Sequence, residues 1–398
     1  MSNHHDLEEL TTHCIRCGFC LESCPTFKIT GAEPESPRGR IYLVRGALEG
    51  KLPWQEIQEP LDHCLGCRAC ETACPSGVEY GAILELARER LGSKPATKAL
   101  LTGLTNPGLA KIQFTLGRML PGKRMPAALS RLIAGSPAEA DLPRPQPTIP
   151  WPELDESKLP PVTGQVALVL GCVMRVLYDP VHTATKRLLR RVGLETVEIA
   201  APCCGALHAH AGMLDEARTR AQQMAAAIPP GIPIVLNSAG CGSTMREYGF
   251  LDPGLSGIAN RVRDLSEILL EHGMVEALRE AQGFGGKRIT YHDACHLAHG
   301  QKVTQPPREL LKAIPGAEFV EIDEADTCCG SAGIYNVVQP QMARALLERK
   351  WGHIAASGAS LVSTGNPGCL AWIEQKSRET GQQIAVEHTA ITLERAWG

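Results

Sequence analysis

The sequence predicts an α+β multidomain protein in which a small helical, cysteine-rich domain precedes two pseudo-equivalent α/β halves. Three observations predict it. The 16 cysteines of the 398-residue chain divide evenly, eight from Cys14 to Cys74 and eight from Cys172 to Cys369. Each set is internally repeated: THCIRCGFCLESCP answers DHCLGCRACETACP, and C-x30-CC-x36-C is followed by C-x32-CC-x39-C. Beyond residue 161, short β-branched runs alternate with helical patterns, which is the signature of a largely parallel sheet.

The bulk properties decide how those cysteines should be read. With 43% apolar and 21% charged residues the composition is that of an ordinary globular protein, and a net charge of −3 argues against nucleic acid as a partner. The polar, acidic start MSNHHDLEEL is no signal peptide, and no run of 18 apolar residues could span a bilayer. A cytoplasmic location is expected, where reducing conditions favour metal or redox use of cysteine over disulfides.

Within residues 1–95 each cysteine run reads C-x2-C-x2-C-x3-C-P. Three closely spaced thiolates reach three irons of one cube, and in two-cluster ferredoxins the fourth ligand comes from the other run. Two [4Fe–4S] clusters follow, one on Cys14, Cys17, Cys20 and Cys74, the other on Cys64, Cys67, Cys70 and Cys24. Pro25 and Pro75 turn the chain away from the cubes. Paired C-x2-C also suits structural zinc, but four cysteines within eleven residues, duplicated, fit a cube better. Between the runs Ile41, Leu43, Val44 and Leu48 recur at near-helical spacing, so this domain is expected to be helical. Arg38, Arg40 and Arg45 either offset the negative charge of the cubes or form a solvated basic face. His13 and His63 precede the first cysteine of each run and are expected to hydrogen-bond near the clusters, because the thiolates already complete the ligand set.

Residues 96–161 read as a basic helical and proline-rich linker. From Leu91 to Ala140 there are seven Lys or Arg and one acid, with Leu109, Ile112, Leu116, Met119 and Leu120 at near-helical spacing. Such a helix suits a membrane surface or a docking face. Eight prolines lie from Pro137 to Pro161.

The first α/β half is assigned to 162–285 and the second to 286–398, with strands at Val166 to Leu170, Pro233 to Asn237, Arg288 to His292 and Ala359 to Thr364. Cys172, Cys203, Cys204 and Cys241 are mirrored by Cys295, Cys328, Cys329 and Cys369, all beside loop formers. Open α/β sheets carry ligands at their carboxyl edge, so these quartets are candidates for one or two further iron–sulfur sites or for thiol chemistry. Ordinary buried cysteines are the alternative. His292, His296 and His299 surround Cys295 and are expected to be satisfied core or surface histidines. No G-x-G-x-x-G or P-loop appears, so no nucleotide site is expected on this chain.

Together the two cysteine runs, PRGRIYLV, APCCGA, SAGCG, TCCGSAG and NPGC resemble the iron-sulfur subunit of bacterial glycolate oxidase along nearly the whole chain. The C-terminal repeats resemble the CCG domain, which is also found in heterodisulfide reductase, the anaerobic glycerol-3-phosphate dehydrogenase small subunit and lactate-utilisation proteins. The resemblance implies a helical two-[4Fe–4S] ferredoxin domain followed by two pseudo-equivalent α/β CCG domains. It also implies electron transfer from FAD-binding glycolate oxidase subunits towards a quinone or other acceptor, with no catalysis by this chain alone and contact with the cytoplasmic face of the inner membrane left open. An equivalent subunit of a D-lactate or glycerol-3-phosphate dehydrogenase, or a CCG-domain thiol/disulfide reductase, is the alternative. In the fullest CCG form the last element is C-x-x-C, with five cysteines holding a non-cubane cluster. Here Ser238 and Asn366 stand where the first cysteine of that pair would be, and Ala294 where relatives often place proline.

Overall fold

The computed structural model describes residues 6–106, 108–112, 124, 126–134, 137–141 and 145–398. Its architecture is mixed helical and α/β. Up to residue 91 the described elements are helical. Ser36 caps helix Pro37–Leu48, its Oγ accepting from the Gly39 N–H at 3.0 Å, and Pro37 supplies the fixed φ suited to a first turn. This helix buries Ile41, Val44 and Ala47 against Leu7, Leu10, Ile57 and Leu61. Helix Tyr80–Leu91 adds Ile83, Leu84 and Ala87 to the same core.

Each half beyond residue 163 is a four-stranded, wholly parallel sheet. The first contains β1 (Gly164–Val169), β2 (Leu194–Ile199), β3 (Ile234–Leu236) and β4 (Val262–Asp264) in the order β2-β1-β3-β4. The second contains β5 (Arg288–Tyr291), β6 (Glu318–Phe319), β7 (Leu361–Thr364) and β8 (Ala385–His388) in the order β6-β5-β7-β8. Chain direction across the sheet reverses between β1 and β3, and again between β5 and β7. These switch points are where open α/β sheets gather ligands at their carboxyl ends.

The two halves share one core, in which Leu168, Leu188 and Ile268 meet Ile289, Leu361 and Ile391. Helix Asp179–Arg191 of the first half grips Glu394 of the second, whose buried carboxylate accepts from Arg187 at 2.6 Å and Arg191 at 2.9 Å. The proline-rich run is anchored rather than free. Gln375 Nε2 donates to the Glu139 carbonyl at 2.8 Å, the Gln146 N–H donates to the Leu177 carbonyl at 2.7 Å, and Ile149 and Trp151 pack on the shared core. Of the basic amphipathic pattern, Leu109 and Ile112 are exposed, whereas Leu116, Met119 and Leu120 lie outside the described residues. No helix among the described residues is long and apolar enough to cross a membrane.

Candidate metal centres

The two N-terminal runs adopt the same loop. Arg16 and Gly18 flank Cys17 at φ 61° and 91°, and Gly66 and Arg68 flank Cys67 at φ 63° and 65°. Two left-handed residues so close together curl the chain and bring three thiolates to one side; each repeat spends glycine on one position and arginine on the other. Cys14, Cys17 and Cys20 line a single cavity with Cys74 from the opposite run, and Cys70 joins its wall. Cys24 leaves its own run and lies among Cys64, Cys67 and Cys70. Four thiols therefore surround each of two centres, a donor set that fits a [4Fe–4S] cube.

Without a bound cation the surroundings of the second site disfavour thiolate. Burial pushes the Cys67 and Cys70 thiols well above their usual range, and neighbouring cysteines push them further, so the group cannot ionise without a cation among it. Backbone N–H groups of Gly66 and Val78 reach Cys64 and Cys74 at 3.4 and 3.5 Å, and the Tyr80 hydroxyl reaches Cys64 at 3.5 Å. Arg40 is buried between the runs, donating to Glu35 at 2.6 Å and to the Pro60 carbonyl at 2.6 Å. Burial works against its charge, yet Cys64, Tyr80, Cys24 and Glu35 hold its pKa above the usual value. Arg40 is thus a cation that faces the sulfurs of the second site, as Arg38 does beside Cys14 and Cys20 of the first. Arg38 sits at the rim of the first cavity and pairs with Glu33, while Arg45 pairs with Glu49 at 3.8 Å on the surface. His63 does not reach a sulfur; its Nδ1 pairs with Glu35 at 2.7 Å.

In the first α/β half, Cys172 follows β1, Cys203 and Cys204 follow β2, and Cys241 follows β3. The chain order of β2-β1-β3 delivers all four to one edge. Cys172 lies within hydrogen-bonding reach of Cys203, Cys203 of Cys204, and Cys204 of Cys241. Cys295, Cys328, Cys329 and Cys369 repeat this chain after β5, β6 and β7. Proton sharing along each chain holds some thiols down and their partners up: Cys203, Cys295 and Cys329 fall well below the usual range, mainly through their sulfur neighbours. The glycine after each pair has φ 92°, and its N–H points back at sulfur, Gly205 to Cys203 at 3.4 Å and Gly330 to Cys328 at 3.5 Å. Ser238 and Asn366 each turn a side chain towards the last cysteine, Asn366 Nδ2 standing 3.6 Å from Cys369 Sγ. All sixteen cysteines are unbridged.

The histidines around Cys295 do not behave alike. His299 is satisfied, bonding Thr72 Oγ1 at 2.9 Å and the Asp326 carbonyl at 3.0 Å. His296 Nδ1 stands 3.4 Å from Cys295 Sγ. His292 is fully buried and within hydrogen-bonding reach of the Cys329 thiol, while neither ring nitrogen finds an oxygen or nitrogen partner among the described residues. Its polar neighbour is a cysteine of the quartet, whereas an ordinary satisfied core histidine bonds an oxygen or nitrogen. The repeat carried the available signal, because Val169 occupies the place of His292 three residues before the first cysteine of the other half.

The helical domain touches both halves, through Arg88 to the His210 carbonyl at 2.7 Å and through Tyr335 to the His63 carbonyl at 2.8 Å. One of its sulfurs approaches the second quartet. Cys67 shares a buried apolar cluster with Cys295, Cys328, Cys329 and Cys369, and among the cysteines it is Cys295 whose charge raises the Cys67 pKa most. A cavity of about 500 Å³ opens beside this contact, lined by Cys64, Arg88, Lys94, His210, His296 and Tyr335.

Comparison with known proteins agrees with this division. Residues 11–78 match the 4Fe-4S dicluster domain, and residues 166–246 and 289–374 match the cysteine-rich domain CCG. The chain is 36% identical to the probable glycolate oxidase iron-sulfur subunit of Bacillus subtilis, covering 96% of this chain and 94% of that one. It is 30% identical to the glycolate oxidase iron-sulfur subunit of Escherichia coli over 98% of this chain and 95% of that one. Lactate utilization protein A of Oceanobacillus iheyensis is 29% identical over 58% of this chain and 96% of its own length. Among solved structures, a hypothetical protein from Helicobacter pylori shares the fold, with a TM-score of 0.53 at 10% identity, covering 100% of this chain and 75% of that one.

Proposed function

This chain belongs to the family of glycolate oxidase iron-sulfur subunits, and on that premise we propose the route by which it serves as the electron-transfer subunit of a dehydrogenase complex. Electrons come from an FAD-binding glycolate oxidase subunit and leave for a quinone or other acceptor. The sites lie in the order Cys14–Cys17–Cys20–Cys74, then Cys24–Cys64–Cys67–Cys70, then Cys295–Cys328–Cys329–Cys369. A bound [4Fe–4S] cluster supplies a one-electron carrier at such a site. The observation that carries the order is the buried contact between Cys67 and the second α/β quartet.

This chain's residues do the rest. The thiolates fix the centres, Arg40 balances their charge, and N–H donors to sulfur favour the reduced state. Around the first site Ile15 and Phe19 are 67% and 68% exposed and Tyr42 is 57% exposed, with the Arg16 guanidinium over the Tyr42 ring. Apolar surface of this kind beside a redox centre is a docking face for the flavoprotein. Catalysis of glycolate oxidation rests with that partner, and so does the choice among 2-hydroxy acids.

Full-length chain, reconstituted anaerobically, should hold the two N-terminal clusters as about eight irons, with the α/β sites in addition. Cys24→Ser should damage mainly the cluster of the second run and Cys74→Ser that of the first. On adding glycolate, cluster reduction should require the FAD-binding partner. Glycolate oxidation by the isolated chain, or FAD bound to it, contradicts the proposal.

A further inference from the structure

The two α/β quartets are not chemically equal. In the second half one nitrogen of His292 and the sulfurs of Cys329 and Cys369 lie within 4.8 Å of one another, and all three residues are buried. Neither nitrogen of that imidazole has an oxygen or nitrogen partner among the described residues, and the side chain lies within hydrogen-bonding reach of Cys329. In the first half the matching position is Val169, a core residue 3% exposed at the end of β1, and the buried imidazole near that quartet, His208, comes from the helix after β2 and reaches Cys203. The strand that delivers Cys295 therefore delivers a nitrogen donor to the same edge. Thiolate and neutral imidazole together are a ligand set for iron, and histidine replaces cysteine on iron in some [2Fe–2S] centres.

We propose that His292 is a metal ligand: it joins Cys329 and Cys369 in the donor set of one iron–sulfur centre, so that the second half carries a nitrogen- and sulfur-ligated site with no counterpart at the Val169 position of the first. The inference rests on the reading of the second quartet as an iron–sulfur site. A neutral nitrogen donor adds no negative charge, so this centre is easier to reduce than an all-thiolate one. That makes it a suitable end point for electrons arriving from Cys67.

The test uses reduced full-length protein and pulsed EPR, with iron counted on the same sample. A histidine-nitrogen hyperfine coupling of directly bound strength is expected in the wild type, changing when the protein is grown with ¹⁵N-histidine. It should survive His296→Gln, whose imidazole only neighbours Cys295. In His292→Gln it should disappear, with the signals of the two N-terminal clusters unchanged. His292→Cys should restore iron and lower that centre's potential. If His292→Gln does not fold, the isotope comparison on wild type decides alone. Iron well above about eight per chain without a histidine coupling overturns the ligand assignment while leaving the quartet an iron–sulfur site. Iron no higher than about eight, or zinc at the quartet, overturns both.

Discussion

The first and second α/β halves have the same topology, the same cysteine order and the same sulfur-facing glycine, yet they offer different sites. In the first, the quartet is bordered by Val169, Ser238 and His208, the last within hydrogen-bonding reach of Cys203. In the second, His292, His296 and Asn366 surround it, and Cys67 of the helical domain lies against it. A duplicated fold thus fixes where four thiolates meet, while the residues packed around them set what the centre does. The difference teaches that position in the repeat predicts ligation and that departures from the repeat predict division of labour.

The largest effect should come from exchanging equivalent cysteines. Cys329→Ser should abolish acceptor reduction by the complex, whereas Cys204→Ser should lose the iron of its own site and leave most of the electron flow. Stopped-flow reduction of a quinone analogue checks this. Equal loss in both variants would break the comparison and put both quartets on the route.

The next effect is on stability. A methyl at Gly205 would stand 3.0 Å from the Ala217 carbonyl oxygen, and one at Gly330 would stand 2.5 Å from that of Ala343. A left-handed backbone costs a non-glycine residue about 1–3 kcal/mol, so Gly205→Ala should lose roughly that amount. Gly330→Ala adds an overlap worth about a further 1–3 kcal/mol. Denaturant midpoints should therefore fall further for the second-half variant; the reverse order would show that the second turn has room to move.

A smaller effect depends on pH and on residues that the halves share. Asn237 bonds His182 Nδ1 at 3.1 Å and accepts from His388 Nε2 at 2.7 Å, so one buried histidine from each half meets on one side chain and its carbonyl. Burial lowers both pKa values to about 4 from 6.5. Because the unfolded chain binds these protons more readily, their contribution is complete above about pH 6.5 and is lost as pH falls towards 4. Between pH 7 and 5.5 the two together should cost about 2–3 kcal/mol, and His388→Gln should remove about half of that dependence. Urea titrations at both pH values check the slope.

Much of this was legible in the sequence. The central strands β1, β3, β5 and β7 announced themselves as β-branched runs, because they are buried on both faces. The edge strands β2 and β8 did not, since LETVEI and AVEH mix polar with apolar residues and are only partly buried. The cysteine spacings identified two ligand sets in the helical domain and a quartet in each half, because metal ligation demands fixed spacing. A lone histidine has no spacing, so His292 stood out only once its nitrogens were seen beside Cys329 and Cys369. Proline count described the run from Pro137 to Pro161 as a linker, but composition cannot reveal that Ile149 and Trp151 find apolar partners in the shared core.

The central claim is that the second α/β half holds a redox centre in contact with the second N-terminal cluster. An anaerobic redox titration of the full-length chain followed by EPR tests it most directly. The account predicts a third iron–sulfur signal beyond the two N-terminal ones, appearing at higher potential, broadening the signal of the Cys24–Cys64–Cys67–Cys70 cluster when both are reduced, and vanishing in Cys329→Ser. Two signals only, with about eight irons and a titration indifferent to Cys329→Ser, would contradict it.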